Sequence, residues 1–435
     1  MNGFQSLMEI YVIPAAAKIA RQRHLAAVRD GLAVIIPMTV IGGISCFLAV
    51  PPIPASMAES PNLFSSLLLA WKSLAGTYAQ ILALPYYLTT GILSLYVTAA
   101  VACQMAKSYH MDIINNVLSA LLVFLCVSNC IDMRTGFLST DRLGADYMFG
   151  AVTVALLVVE INHLFIEKSL FINMPSSVPP SVAAPFHYLL PLGFNILLWI
   201  GGNCVCTYLT GDGITGLVFS IFRPLLKVTD SLPSILLLNA VITTFWFFGI
   251  HGTNLVGAVT LPITTAALAA NMEAYRTGGR IDYIFAGNVS SIFGNWITYI
   301  AILMVIFTTC KSSRLKSAAR LAIIPSIFNI NEPCIFGIPT VLNLYTYIPL
   351  LICNAVNFSS YYLLARAGIL GRFSMSLPFT VPGPLAAALA TMDPKAFLLW
   401  IVLLTADYFI VMPFMKLYDT QLMIAEKHVS SAVNP

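Results

Sequence analysis

The sequence predicts an all-α polytopic membrane protein with about ten transmembrane helices, and three observations carry that prediction. Of the 435 residues, 58% are hydrophobic and only 9% are charged, against about 25% charged in a soluble domain, so the chain cannot cover a water-facing surface. Seven long stretches contain no Asp, Glu, Lys or Arg: 31–58, 73–106, 113–131, 169–211, 231–272, 283–310 and 333–365. A helix crossing the hydrocarbon core needs roughly 20 residues, and shorter apolar segments near 147–166 and 396–415 bring the total to about ten. No polar stretch is long enough to fold as a separate soluble domain.

Along the chain, residues 4–28 read as an interfacial amphipathic helix, with Leu7, Ile10, Tyr11 and Ile13 on one side and Lys18, Arg21 and Arg23 further along. They are too long and too mixed for a cleaved signal peptide. Arg29 precedes the first apolar run, which puts the N-terminus on the cytoplasmic side. The loop 51–83 carries only Glu59 and Lys72 and is expected outside, whereas Lys311, Arg314, Lys316 and Arg320 mark an inside segment. The loop 211–230, with Asp212, Arg223, Lys227 and Asp230, favours neither side. The net charge of +4 is accounted for by such flanking residues, so no nucleic-acid partner is expected.

The chain divides into two halves. Residues 1–230 read as ordinary spans, with a polar connection at 132–146 and a proline-rich turn, "NMPSSVPPSVAAP", leading into a helix from Phe186. Residues 231–420 are repeatedly interrupted by Gly, Pro and Asn, in "GIHGTN", "AGNVSSIFGN", "NEPCIFGIP" and "SLPFTVPGP". Backbone that leaves the helix at membrane depth must be buried in protein or line a wet cavity, and transporters build substrate sites from such breaks. The second half is therefore where a site is expected, followed by a short cytoplasmic tail at 421–435.

Glu332 is the only acidic residue between Arg320 and Asp393. A central acid costs about 2.5–3.5 kcal/mol on insertion scales, so it normally faces a cavity and has a function. Pro333 disfavours helical backbone at Glu332; the helix is expected to stop at the carboxylate and turn back through "PCIFGIPT". The competing reading pairs Glu332 with Arg320 or Arg366 near the interface. His251 lies between Gly249 and Gly252. If the helix is continuous there, Thr244, Phe248 and His251 share one face, and the imidazole can hydrogen-bond a hydroxyl or accept a proton. The bland alternative is a structural histidine.

The other polar groups nearby are amides: Asn254, Asn288, Asn295, Asn331 and Asn343. They offer donors and acceptors together, and Trp246, Trp296 and Phe379 offer flat faces for sugar rings. With no second buried acid and no basic cluster expected here, a neutral sugar fits better than an anion or a multi-carboxylate cation site. The nine cysteines form no CxxC pair and read as small buried hydrophobes. No GxxxxGK[ST] loop is present, which argues against a pump that hydrolyses its own ATP. No metal or cofactor is expected.

"FWFFGIHGTNLVGAV" and, some eighty residues later, "SIFNINEPCIFGIPTVLN" closely resemble the paired signatures of the sugar-transporting enzyme IIC subunits of bacterial phosphotransferase systems, in the lactose/cellobiose/diacetylchitobiose family. The resemblance extends to "VIPAAAKIARQRHLAAVRDGLAVIIPMTVIGG" and "MPSSVPPSV" and covers most of the chain, more loosely over 50–110. It implies a homodimer with ten spans, two re-entrant hairpins and two amphipathic interfacial segments, the N-terminal half forming the dimer interface. The C-terminal half would carry a neutral disaccharide of the cellobiose, lactose or diacetylchitobiose type and shift like an elevator. His251 and Glu332 would hydrogen-bond the sugar, and either is a candidate general base. A soluble enzyme IIB, phosphorylated on its own cysteine, would then phosphorylate the sugar 6-hydroxyl. Cys334, among apolar neighbours that disfavour a thiolate, is not that cysteine.

The chain departs from the family pattern in two places: "AGNVSSIFGN" has few glycines, and Phe379 stands where members often place tryptophan. Rival readings are a proton-coupled sugar symporter with Glu332 as carrier, a membrane-embedded transferase using His251 and Glu332 directly, and a sugar sensor.

Overall fold

In lipid, backbone polar groups must be satisfied within the segment, so apolar runs of this length have to become helices. The computed structural model describes residues 22–51, 63–132, 134–172, 174, 180–249, 251–338 and 340–433. The expected interfacial helix lies outside the described residues as far as residue 21, as do 52–62 and residues 175–179 of the proline-rich turn.

In chain order the helices are α1 (Arg23–Val34), α2 (Ile36–Ala49), α3 (Leu63–Thr77), α4 (Ala79–Tyr87), α5 (Leu93–Ser108), α6 (Ile113–Val127), α7 (Met148–Glu167), α8 (Pro180–Thr210) and α9 (Ile214–Thr229). They continue with α10 (Leu232–Phe247), α11 (Gly252–Thr277), α12 (Val289–Ile292), α13 (Asn295–Thr309), α14 (Ser313–Ile327), α15 (Glu332–Gly337), α16 (Leu344–Arg366), α17 (Gly383–Thr391) and α18 (Lys395–Val433). Each charge-free run of the sequence is occupied largely by one or more of them. Among the described residues, seven helical stretches are long and apolar enough to cross a membrane, and the interrupted pairs α1–α2 and α9–α10 bring the number to nine. Helix α6 is apolar but shorter. The chain is thus an all-helical multi-pass membrane protein.

The helices gather into two compact units: one is the chain to Lys227 together with Gly257–Gly278, the other Val228–Val256 with Gly279–Pro435. In the first unit, Pro37 opens α2, and α1 and α2 meet at 41°. An amide ladder joins three of its helices. Asn116 Nδ2 donates to Tyr188 Oη at 3.1 Å, Asn162 Nδ2 to Asn116 Oδ1 at 2.9 Å, and Asn195 Nδ2 to Asn162 Oδ1 at 3.1 Å. Side-chain amides of this kind join helices where apolar contact alone has little to choose between protein and lipid. Tyr86 donates to Glu273 at 2.7 Å, and Arg276 pairs with the same carboxylate.

In the second unit, α13 packs against α18, and α16 against both α10 and α18. Trp400 Nε1 donates to the Ile292 carbonyl at 3.0 Å, while Gly383 lets the α17 backbone lie directly on the Trp400 ring. The Asp419 carboxylate accepts the N–H groups of Lys311 and Ser312 at 2.8–3.0 Å, satisfying donors at the entry to α14. Helices α14 and α15 then pack against one another as a hairpin.

The expectation that Glu332 lacks a second buried acid fails here. Asp407 on α18 is fully buried; its Oδ2 accepts from Thr298 Oγ1 on α13 at 2.7 Å and from Asn357 Nδ2 on α16 at 3.0 Å. An acid spaced among the apolar residues of 396–415 looks in sequence like part of a lipid-facing span. It is tolerated because polar side chains from two neighbouring helices, α13 and α16, meet one of its oxygens.

Candidate functional site

The sequence around His251 breaks the helix, contrary to the continuous helix entertained above. Helix α10 ends at Phe247, and Gly249 takes the left-handed conformation at φ +76°, its N–H returning to the Trp246 carbonyl at 3.0 Å. Glycine adopts this backbone at no steric cost, and it is a common way to end a helix. Helix α11 restarts at Gly252. Thr244, Phe248 and His251 therefore do not form one face: Thr244 bonds Tyr347 Oη at 2.8 Å, Phe248 packs edge-on to Phe247, and His251 sits in the break. Its ring lies against Trp246, with centroids 4.3 Å apart.

Glu332 is also placed differently from expectation. Helix α14 stops at Ile327, and Glu332 begins the short helix α15, with Pro333 at its start, where a missing N–H costs nothing. Asn329, between the two helices, is left-handed at φ +62°. Among the described ion pairs, none joins Glu332 to Arg320 or Arg366. The carboxylate instead lines a cavity of about 370 Å³ within the second unit.

That cavity brings together His251, Glu332, Asn331, Asn295, Trp246, Trp296 and Phe379 from the sequence reading. Asn288 opens α12, beside the wall residues Ser290 and Ser291, with its Oδ1 buried and without a hydrogen-bond partner. Asn254 falls in the first turn of α11, and its side chain lies outside the described residues. Asn343 caps α16 through the Tyr345 N–H at 2.9 Å, a structural role. Sequence reasoning missed Asn239, Thr253, Ser290, Ser291, Tyr299 and Asn329, which also line the cavity. Asn239 and Tyr299 are buried in apolar helices and left no local signal. Asn329 could have been found, because it stands two residues before Asn331 in the "NIN" that precedes the Glu-Pro pair.

Several of these groups are held from behind. Asn295 Oδ1 accepts from Asn354 Nδ2 at 2.5 Å and Thr243 Oγ1 at 3.4 Å, linking α13 to α16 and α10. Trp296 Nε1 donates to the Ser326 carbonyl at 2.6 Å, tying the cavity wall to the α14–α15 hairpin. Leu342 N–H reaches the Phe247 carbonyl at 2.8 Å, fastening the segment after α15 to the end of α10. The described lining contains one carboxylate and one imidazole among amides, hydroxyls and aromatic rings, and no Lys or Arg. Chemically, this arrangement can bind a neutral molecule dense in hydroxyl groups, with rings for its apolar faces and one acid to accept a proton.

Comparison with known proteins agrees with this architecture. Residues 29–353 match the family model described as Phosphotransferase system, EIIC. The lactose-specific EIICB component of Staphylococcus haemolyticus is 30% identical over 427 residues, covering 95% of this chain and 70% of that protein. The lichenan permease IIC component of Bacillus subtilis is 28% identical over 456 residues, covering 100% of this chain and 98% of the relative. In three dimensions, the chain superimposes on the crystal structure of ChbC, the IIC component of the N,N'-diacetylchitobiose-specific phosphotransferase system. The TM-score is 0.87 at 26% identity, with 97% and 99% of the two chains covered. With its interrupted helices, its single-acid cavity and this match over most of its length, the chain belongs to the phosphotransferase system EIIC family of sugar permeases.

Proposed function

We propose that the cavity of the second unit binds a neutral disaccharide and that this chain presents it for phosphorylation by a phosphorylated enzyme IIB. The observation that carries the reading is the cavity lining: His251 and Glu332 stand among amides and aromatic rings, with no cationic side chain in the described wall. A neutral sugar finds hydrogen-bond partners there, whereas a sugar phosphate would lack a countercharge and would leave. The names of relatives support the substrate class, since they include lactose-specific, lichenan and oligo-beta-mannoside components. EIICB relatives support a IIB partner. The proposed step moves a phosphoryl group from the IIB cysteine to the sugar 6-oxygen. The S–P bond breaks as the O–P bond forms, the sulfur leaves as thiolate, and the hydroxyl proton passes to Glu332 or His251.

In the same reading both termini are cytoplasmic, from the basic residues flanking the spans, in a bacterial cell membrane. The N-terminal half, 1–230, supplies a homodimer contact, and 231–420 carries the sugar.

The test uses vesicles containing the purified chain, with radiolabelled cellobiose, lactose and diacetylchitobiose supplied outside. Phosphosugar is expected inside only when phosphorylated IIB is enclosed. Sustained accumulation of unmodified sugar without a phosphodonor would overturn the reading in favour of a proton-coupled symporter.

Gly252 supplies a second check. A Cβ at this position would collide with the backbone carbonyl of Ile242, and relief requires moving the segment that carries His251. Overpacking of this kind costs about 1–3 kcal/mol. Gly252→Ala is therefore expected to weaken sugar binding by about fivefold or more in protein that still elutes as a single species; unchanged binding by calorimetry would contradict the placement of His251.

A further inference from the structure

Asn329 occupies a left-handed backbone position that a glycine would hold without steric cost. What asparagine adds is a set of hydrogen bonds. Its Nδ2 donates to Ser291 Oγ at 2.7 Å and to the Phe379 backbone carbonyl at 3.1 Å, and its Oδ1 accepts from Asn331 Nδ2 at 3.1 Å. A carbonyl only accepts, so the bond to Phe379 sets which end of the Asn329 amide faces that segment. The remaining oxygen then sets the direction of Asn331. Ser291, Asn331 and Phe379 come from three separate segments, and all three line the cavity. Phe379 is itself 62% exposed, so burial of this residue does little to hold its segment in place.

We propose that Asn329 is a positioning residue for substrate binding: it fixes the segment carrying Phe379 against the segment carrying Asn331 and Glu332, so that ring and carboxylate address the same molecule. The inference rests on the sugar-site reading above and names a residue that controls it without needing to touch the sugar.

The experiment is a double-mutant cycle on the purified full-length chain. Calorimetry is carried out with whichever of cellobiose, lactose and diacetylchitobiose the wild type binds. The variants are Asn329→Gly, Asn329→Asp, Phe379→Ala and Asn329→Gly with Phe379→Ala, each checked for a single elution peak and its thermal midpoint. Asn329→Gly keeps the backbone and removes the bonds; Asn329→Asp keeps the shape but cannot donate to the Phe379 carbonyl. Each is expected to bind about 5- to 50-fold more weakly, the scale of one or two lost hydrogen bonds. Once Phe379 is already alanine, removing Asn329 is expected to cost clearly less than it does in the wild type, because the ring it positions is gone and only its hold on Asn331 and Ser291 remains to be lost. A purely structural role would not produce that coupling. If Asn329→Gly folds poorly, the isosteric Asn329→Asp decides. Variants that bind like wild type, or losses that multiply independently in the double variant, overturn the proposal. A wild type that binds none of the panel overturns the sugar-site reading itself, which is a separate and recognisable failure.

Discussion

Replacing Glu332 with glutamine is expected to abolish sugar phosphorylation and to weaken disaccharide binding by about 10- to 150-fold. A hydrogen bond to a charged group contributes about 1.5–3 kcal/mol, and each 1.4 kcal/mol is about tenfold in affinity. Glutamine preserves the shape of the side chain but removes both the charge and the ability to take a proton, so catalysis should suffer more than binding. His251→Ala removes a ring that lies 4.3 Å from Trp246 and is expected to weaken binding by about tenfold, the scale of one lost hydrogen bond. Calorimetry with cellobiose, lactose and diacetylchitobiose, beside a phosphotransfer assay with phosphorylated IIB, separates the two effects. Binding unaffected by either substitution would move the site out of this cavity. A Glu332→Gln variant that phosphorylates normally would leave His251 as the remaining candidate base.

Removing the buried carboxylate of Asp407 is the second large effect. In Asp407→Ala, the partners on α13 and α16 lose the acceptor that sits between them, and each buried group left unsatisfied costs about 1–3 kcal/mol. The expected loss of stability is about 2–4 kcal/mol. Asp407→Asn keeps an oxygen in place and is expected to cost less than about 1 kcal/mol. Thermal unfolding of both variants in detergent checks the order. Equal midpoints for wild type and Asp407→Ala would show that the three helices are held by apolar contact alone. Asp407 lies far along the chain from the site motifs, but Thr298 is one turn beyond Asn295 on α13, and Asn357 is one turn beyond Asn354 on α16. Loosening this junction is therefore also expected to reduce sugar affinity, more mildly than the loss of Glu332.

Much of the site was legible because its residues are chemically out of place where they stand. A lone acid beside a proline and a histidine between two glycines mark broken backbone in an otherwise apolar region, and the two motifs converge on one cavity although some eighty residues separate them. The local backbone was less legible. Pro333 pointed to a helix ending at Glu332, yet proline is equally at home opening a helix, and here it opens α15. The periodicity of "FWFFGIHG" fits a continuous helix until Gly249 is seen at φ +76°, a conformation that glycine permits but does not announce. Asn239 and Tyr299 lie in predominantly apolar helices and became wall residues only through the packing of the second unit.

What the sequence determined by itself is the class of structure, and it pointed to the chemistry proposed for the site. Charge-free runs force helices because lipid offers the backbone no other partner, and one acid among amides and rings is the basis for proposing a neutral, hydroxyl-rich ligand. What only the tertiary structure decided is which isolated polar residues are brought together. In sequence nothing marks Asp407, Asn354 and Asn329 for different roles: each is an uncompensated polar group within an apolar region. One anchors three helices, one holds Asn295 from behind, and one joins three segments of the cavity wall. The physical reason is that a buried polar side chain takes its role from the donors and acceptors it meets, and those arrive from other helices, at distances along the chain that no local pattern records.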